Sequence, residues 1–521
     1  MCKLLLKNRY ISFGLLFALN IIFLICILQF IPLLFDSTDD VAMCYIANGH
    51  LFGIPEPRLV FINAIYGEVL CFLYSKMPTI EWYSVSFLIL QIIAFSTIEY
   101  FILKSIKNTY VKTLLLLSCI IMWWRFLVGF QFTTTAGVLC LAGCILLLAK
   151  NKDTKYFGII QIIVASLLRY NMAAFVGIVF VPVIIYTYKM NFKQYLYVAF
   201  MLMLVIGCKI IGQSYYNSSD WSTYVKYNHL RSGINDNPNS GVLYTSSFES
   251  ISSNDVLMVL GTEQDPSITD SGVLLELNNK IKEDTKWSKF LKLYQLKFFV
   301  IPLLLLGVFS IAFFFFSNKS IRWIPIITFV ILVLFLMYIS INNYLKPRAV
   351  IPVLMAMNLI FAYCYDKQKI NQKSSCVVLV MMCLGFSGMY LVESIRIGMN
   401  RNELFKKWNN QRTMILKHKN QVLWPSDLCE AGMSPMELKD NPINIVAAGW
   451  MLTYPKEQVL HNHMELLSKS IGIMLSKENN YDELIISHYI TSLKEHYGIT
   501  VKDSILEEDK DYRYYLLKED L

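Results

Sequence analysis

Residues 3–40 read KLLLKNRYISFGLLFALNIIFLICILQFIPLLFDSTDD. Three cations, Lys3, Lys7 and Arg9, precede an apolar stretch from Ile11 to Phe35, and three carboxylates, Asp36, Asp39 and Asp40, follow it. The order mimics a signal peptide. At about 25 residues the apolar stretch is too long for a signal h-region, and no small-x-small cleavage site follows, so it is an uncleaved span.

The rest of the chain agrees with that start. Of 521 residues, 55% are hydrophobic and 16% charged, against about 25% charged in soluble domains. This excludes a soluble enzyme, and 23 Gly with 15 Pro exclude collagen-like sequence. Apolar runs cover 83–103, 113–149, 156–188, 194–212, 297–316, 323–343, 349–365 and 376–393. Two of them, 113–149 and 156–188, are long enough for two passes, giving about eleven transmembrane helices with the first span.

The stretch 59–75 decides orientation, because it is short and carries Glu68. If it does not cross, the loops with Lys104/Lys107/Lys112, Lys150/Lys152/Lys155, Lys189/Lys193, Lys319/Arg322 and Lys367/Lys369/Lys373 all share the side of Lys3, Lys7 and Arg9. Basic loops mark the cytoplasm, so 59–75 is an interfacial helix in the outer leaflet, with Asn63, Gly67, Cys71 and Ser75 as a small-polar stripe. The net charge of +9 is topological on this reading, and no nucleic-acid partner is implied.

The expected fold is an all-α polytopic membrane bundle with interfacial helices in the first external loop and a small extracytoplasmic C-terminal α/β domain. It sits in the plasma membrane, N-terminus cytoplasmic. The transmembrane domain is 1–393 with external loops 36–82 and 213–296; the C-terminal domain is 394–521. In that domain Ile443–Ala448 and Tyr512–Leu517 look strand-like, while Tyr454–Lys477 and Asp482–His496 look helical. The long loop has a turn-rich start at 235–241, then helical patterns near 247–260 and 271–296. Most of the 12 Cys lie inside apolar runs, and only Cys44 and Cys429 fall outside the membrane, where one long-range disulfide could join them.

The chemistry gathers at the outer face. Asp36, Asp39 and Asp40 crowd a span end, and adjacent carboxylates raise one another's pKa, which poises one as a general base; alternatively Asp36 or Ser37 simply caps a short helix starting near Asp39. Arg58, Arg125, Arg169, Lys346 and Arg348 sit at outer span ends, where cations are otherwise scarce. Lys346 and Arg348 flank one proline in a short turn, a pair suited to a phosphate group. Arg169 lies in the hairpin Leu168-Arg169-Tyr170-Asn171, and the turn from Phe130 to Thr135 offers Gln131 and Thr133. A cavity lined by these groups would handle an anionic lipid headgroup and an activated hydroxyl.

An apolar first span, an acidic pair opening the first external loop, an interfacial helix, a late outer arginine and an external C-terminal domain together resemble the GT-C superfamily of membrane glycosyltransferases, which use polyprenyl-phosphate sugars. Pro55-Glu56-Pro57-Arg58 stands where that superfamily commonly has a His-Pro-Pro turn. The resemblance implies inverting transfer of a sugar from a polyprenyl-phosphate donor to a glycan, lipid or protein acceptor of the cell envelope. It implies Asp39 or Asp40 as base, and Arg348, assisted by Lys346, Arg58 or Arg169, on the lipid phosphate. His50, Gln131 and Thr133 would line the substrate cavity, although His50 reads more simply as an interfacial hydrogen-bonding residue. No cofactor is required. Some relatives use a divalent metal, for which Asp36, Asp39 and Asp40 offer oxygens, but no second acidic segment supports a metal site.

Other candidates are weaker. His461 and His463 share one strand face without a third ligand, and Asn217-Ser218-Ser219 is a short glycosylation pattern. Two rival readings remain: a surface-polysaccharide polymerase or ligase using diphosphate-linked donors, and a non-enzymatic transporter or flippase. The second expects mid-membrane ionisable residues and internal repeats; the sequence has few of the former, Glu99 lying near an inner span end, and none of the latter.

Overall fold

The computed structural model describes residues 9–189, 191–237, 271–283, 299–342, 346–366 and 372–418, and in the C-terminal part 422–424, 434–436, 454–455, 471–477, 501–508 and 512–519, with isolated positions between. Fourteen helices are described: α1 (Arg9–Leu28), α2 (Thr38–Asn48), α3 (Ala64–Lys76), α4 (Trp82–Ser105), α5 (Thr109–Val128), α6 (Phe132–Leu147), α7 (Lys152–Tyr188), α8 (Phe192–Ser214), α9 (Ser219–Asn235), α10 (Ser271–Glu283), α11 (Val300–Phe316), α12 (Trp323–Asn342), α13 (Pro347–Asp366) and α14 (Gln372–Lys417). Eight of these are long and apolar enough to cross a membrane, and α6 and α11 are shorter apolar helices. The protein is a polytopic membrane bundle.

Helix α7 is two rods joined at Arg169, whose backbone is extended (φ −156°, ψ 94°). The rods fold back on each other: Lys155 near the start lies 4.4 Å from the ring of Tyr188 at the end, and Tyr188 donates from its hydroxyl to the Leu147 carbonyl at 2.7 Å. The sequence reading of a hairpin at 168–171 matches this geometry. Helix α6 packs along the hairpin through Gly143 and Gly158, where a Cβ on either would lie 2.6–2.7 Å from the other's carbonyl oxygen. Small residues permit such close approach in apolar bundles, where packing rather than hydrophobic exclusion drives association.

These contacts define two ends. At one lie Lys155, Tyr188 and Leu147; at the other lie Arg169, Phe132 and the loop leading out of α1. There Phe35 and Phe130 form a parallel backbone bridge, and Asp36 N–H donates to the Phe130 carbonyl at 2.9 Å. The Leu59–Ser75 interfacial helix is shorter than expected. It begins at Ala64, because Asn63 caps it by accepting from Ile65 N–H at 3.0 Å while its amide donates to the Cys208 carbonyl of α8 at 3.0 Å.

Helix α14 continues to Lys417, so the 393/394 boundary falls inside one helix. Beyond it, β1 (Val422–Trp424), β2 (Ile471–Ser476), β3 (Val501–Glu508) and β4 (Tyr512–Glu519) form a sheet in the order β1-β2-β4-β3. The first pair is parallel and the others antiparallel, with an irregularity between Ile505 and Glu507. Tyr512–Leu517 is a strand as read, but residues 471–476 of the helix-like Tyr454–Lys477 run are β2. Pairing on both sides overrides helical propensity there. Ile443–Ala448 and Cys429 lie outside the described residues, as do His461 and His463; Cys44 is a free buried thiol.

Candidate active site

The site grows from the first turn of α2. Ser37 takes the N-cap position, but its side chain makes no capping hydrogen bond, and the two aspartates that follow have different surroundings. Asp40 is fully buried. Its Oδ1 accepts from the Tyr83 hydroxyl at 3.0 Å and from the Phe132 backbone N–H at 3.3 Å; its Oδ2 accepts from Ser37 Oγ at 3.1 Å. Ser37 in turn accepts from Gln131 Nε2 at 3.0 Å. Burial pushes the Asp40 pKa up to about 8 and Asp39 adds to the rise, while the Phe132, Tyr83 and Ser37 hydrogen bonds oppose it. Asp40 thereby links α2 to the starts of α4 and α6.

Asp39 is half-exposed and faces cations. It is an electrostatic neighbour of both Arg169 and Arg231, and Arg169 is in turn a neighbour of Arg348, Asp236 and Asp40. Asp39 on α2 is thus an electrostatic neighbour of Arg169 on α7 and of Arg231 on α9, while Arg348 on α13 neighbours Arg169.

Arg169 is held at the hairpin turn by a hydrogen bond from Nη1 to the Phe61 carbonyl at 3.3 Å and by the rings of Phe61 and Phe132, 5.8 and 5.5 Å away. The preceding Val60 has φ +66°, a left-handed conformation that costs a β-branched residue about 1–3 kcal/mol. Its N–H donates to the Tyr216 hydroxyl at 3.2 Å. Arg348, an electrostatic neighbour of Arg169, makes no hydrogen bond or ion pair among the described residues. Lys346 pairs with Asp236 at 3.3 Å on the surface.

No family model and no curated protein matches the chain. Among solved structures it is similar to ArnT from Cupriavidus metallidurans bound to undecaprenyl phosphate. The identity is 10% and the TM-score 0.48, over 96% of this chain and 97% of that one.

The expected site residues divide into two groups. Asp39, Arg169 and Arg348 come together, with Lys346 at the edge through Asp236. Arg58 is committed elsewhere: it donates to Glu56 Oε1 at 2.9 Å and the Tyr215 carbonyl at 3.1 Å, and lies 4.6 Å from the Trp221 ring. His50 stacks on Tyr45 with ring centroids 4.8 Å apart. Gln131 and Thr133 are buried at the N-terminus of α6 beside Asp40, and Gln131 Oε1 has no partner among the described residues. The three carboxylates do not converge, because Asp36 pairs with Arg401 at 2.7 Å. Among the described residues no three His, Cys, Asp or Glu side chains are disposed to hold a metal.

Arg231 was missed by the sequence reading. It is 8% exposed; burial lowers its pKa, while Tyr224, Asp236 and Asp39 favour its charge, and an arginine stays protonated. The signal was present: Trp221, Tyr224, Tyr227, Asn228, Arg231 and Ile234 form the buried face of α9. A cation on a buried face led by three aromatic residues is the anomaly that marks it.

Proposed function

We propose that the chain is an inverting GT-C-type glycosyltransferase that moves a sugar from a polyprenyl-phosphate donor to an envelope acceptor at the outer membrane face. The reading is supported by a half-buried carboxylate, Asp39, that is an electrostatic neighbour of Arg169 and Arg231, with Arg348 in turn neighbouring Arg169. An acceptor hydroxyl would give its proton to Asp39 as its oxygen attacks the anomeric carbon. The bond from that carbon to the phosphate oxygen breaks, and the lipid phosphate leaves with the electron pair. Arginine forks neutralise the developing charge, so the leaving group needs neither a general acid nor a metal. The segment after α14 would help to select the acceptor.

Arg231 is the observation that favours the rival reading, since a third cation suits a diphosphate. The test supplies the purified full chain with a polyprenyl-monophosphate sugar or a polyprenyl-diphosphate oligosaccharide, and follows release of the lipid phosphate. Consumption of the monophosphate donor is expected. Consumption of the diphosphate donor alone would establish a polymerase or ligase, and binding of neither would leave the transporter reading.

A further inference from the structure

Arg401 lies on α14, beyond the apolar part of that helix, and is 7% exposed. Each edge of its guanidinium is used. Nη2 meets Asp36 Oδ1 at 2.7 Å, Nη1 donates to the Phe35 carbonyl at 2.8 Å, and Nε donates to the Val128 carbonyl at 3.1 Å. Two acceptors belong to the chain leaving α1, and the third to the chain leaving α5. Those two segments are the ones joined by the Phe35–Phe130 bridge. Three residues after Asp36 comes Asp39; two residues after Phe130 comes Phe132, whose N–H holds Asp40.

The same helix reaches the sheet. At its C-terminal end Lys417 pairs with Glu507 of β3 at 2.5 Å, and His418 meets the same carboxylate at 3.1 Å. From Arg401 to Lys417 is about 24 Å of uninterrupted helix. A guanidinium that spans three acceptors fixes geometry better than a point charge, because its donors have a set planar arrangement.

We infer that Arg401 is a positioning residue: it clamps the two segments that set the height and angle of Asp39, and it ties them to the helix that carries the C-terminal sheet. The inference rests on the proposed glycosyl transfer for its catalytic consequence, but its structural part stands apart. A displacement of about 1 Å at a reacting group costs about 10²-fold in rate. Arg401→Met should therefore lower kcat about 10²-fold with the KM for donor within about threefold, and Arg401→Lys should recover part of the loss by keeping the Asp36 pair. Asp36→Asn should lower kcat as well, and the double variant should be no worse than Arg401→Met alone, since both remove one clamp.

Hydrogen exchange on the full chain separates this from failure of the enzyme reading. Arg401→Met should speed exchange at 36–42 and 130–133 while leaving 347–360 unchanged. Unchanged exchange at 36–42 overturns the clamp whatever the enzyme does. Faster exchange with unchanged kcat overturns its catalytic role, as would a raised KM at constant kcat. Full activity of Asp39→Asn, by contrast, would sink the transfer mechanism and leave the exchange result to be judged alone.

Discussion

At one end of the bundle Lys155 is 2% exposed and surrounded by partners: Gln194 accepts from its ammonium, the Tyr188 hydroxyl is 3.4 Å away, and the rings of Tyr188 and Tyr197 lie 4.4 and 5.4 Å off. At the other end Arg231 is nearly as buried, yet its one described hydrogen bond goes to Asn228 in its own helix, and Arg348 has none. A buried cation is costly unless it is paired. The first end meets that cost within the protein. At the second end the described residues give these two arginines fewer hydrogen-bond partners, and the half-buried carboxylate of Asp39 is an electrostatic neighbour of Arg231.

Substitutions at the two ends should therefore separate binding from stability. Arg169→Met and Arg348→Ala together should weaken polyprenyl-phosphate binding about 10²–10⁴-fold, since charge-assisted hydrogen bonds contribute about 1.5–3 kcal/mol each. Direct titration in lipid nanodiscs checks this, and an unchanged affinity would break the contrast. Lys155→Met should leave that affinity intact but lower unfolding stability by about 1–3 kcal/mol, read as a fall in Tm. A comparable loss of lipid binding there would show that the two ends are not functionally distinct.

A pH-dependent effect concerns Asp40. Its pKa is raised from 3.8 to about 8, so between those values the folded protein binds more protons than the unfolded chain. Stability contributed by the protonated carboxyl is present at low pH and is lost as pH rises through that window. Asp40→Asn keeps an oxygen for Tyr83 and Phe132 and has no charge to bury. The wild-type Tm should therefore fall relative to that of Asp40→Asn between about pH 4 and pH 8. Parallel Tm curves across the window would contradict the assigned burial.

The ends themselves were legible because their signal is one-dimensional: apolar runs of spanning length, and lysines sorted to alternate loops. The Arg169 hairpin was legible for the same reason, as an arginine beside polar residues at the midpoint of a double-length run. The division of labour between Asp39 and Asp40 was not. Residues 40–48 of α2 are all buried, so periodicity gives no sign of which carboxylate faces inward; Tyr83 and Phe132 decide it from 43 and 92 residues away. Arg401 was hidden similarly, since its partner Asp36 is 365 residues distant. Arg231 escaped because the turn-forming residues after Asn235 drew α9 into a loop. β2 escaped because a six-residue apolar run carries no period that separates strand from helix.

The central claim is that Asp39 does chemistry while the arginines hold the donor. The most direct measurement follows both in one variant: Asp39→Asn in nanodiscs, supplied with a polyprenyl-monophosphate sugar that the wild type consumes and a competent acceptor. The account predicts donor binding at least as tight as wild type, because a negative charge beside the phosphate is gone, an unchanged Tm, and release of lipid phosphate slowed by about 10²–10⁴-fold. Release at the wild-type rate would contradict it.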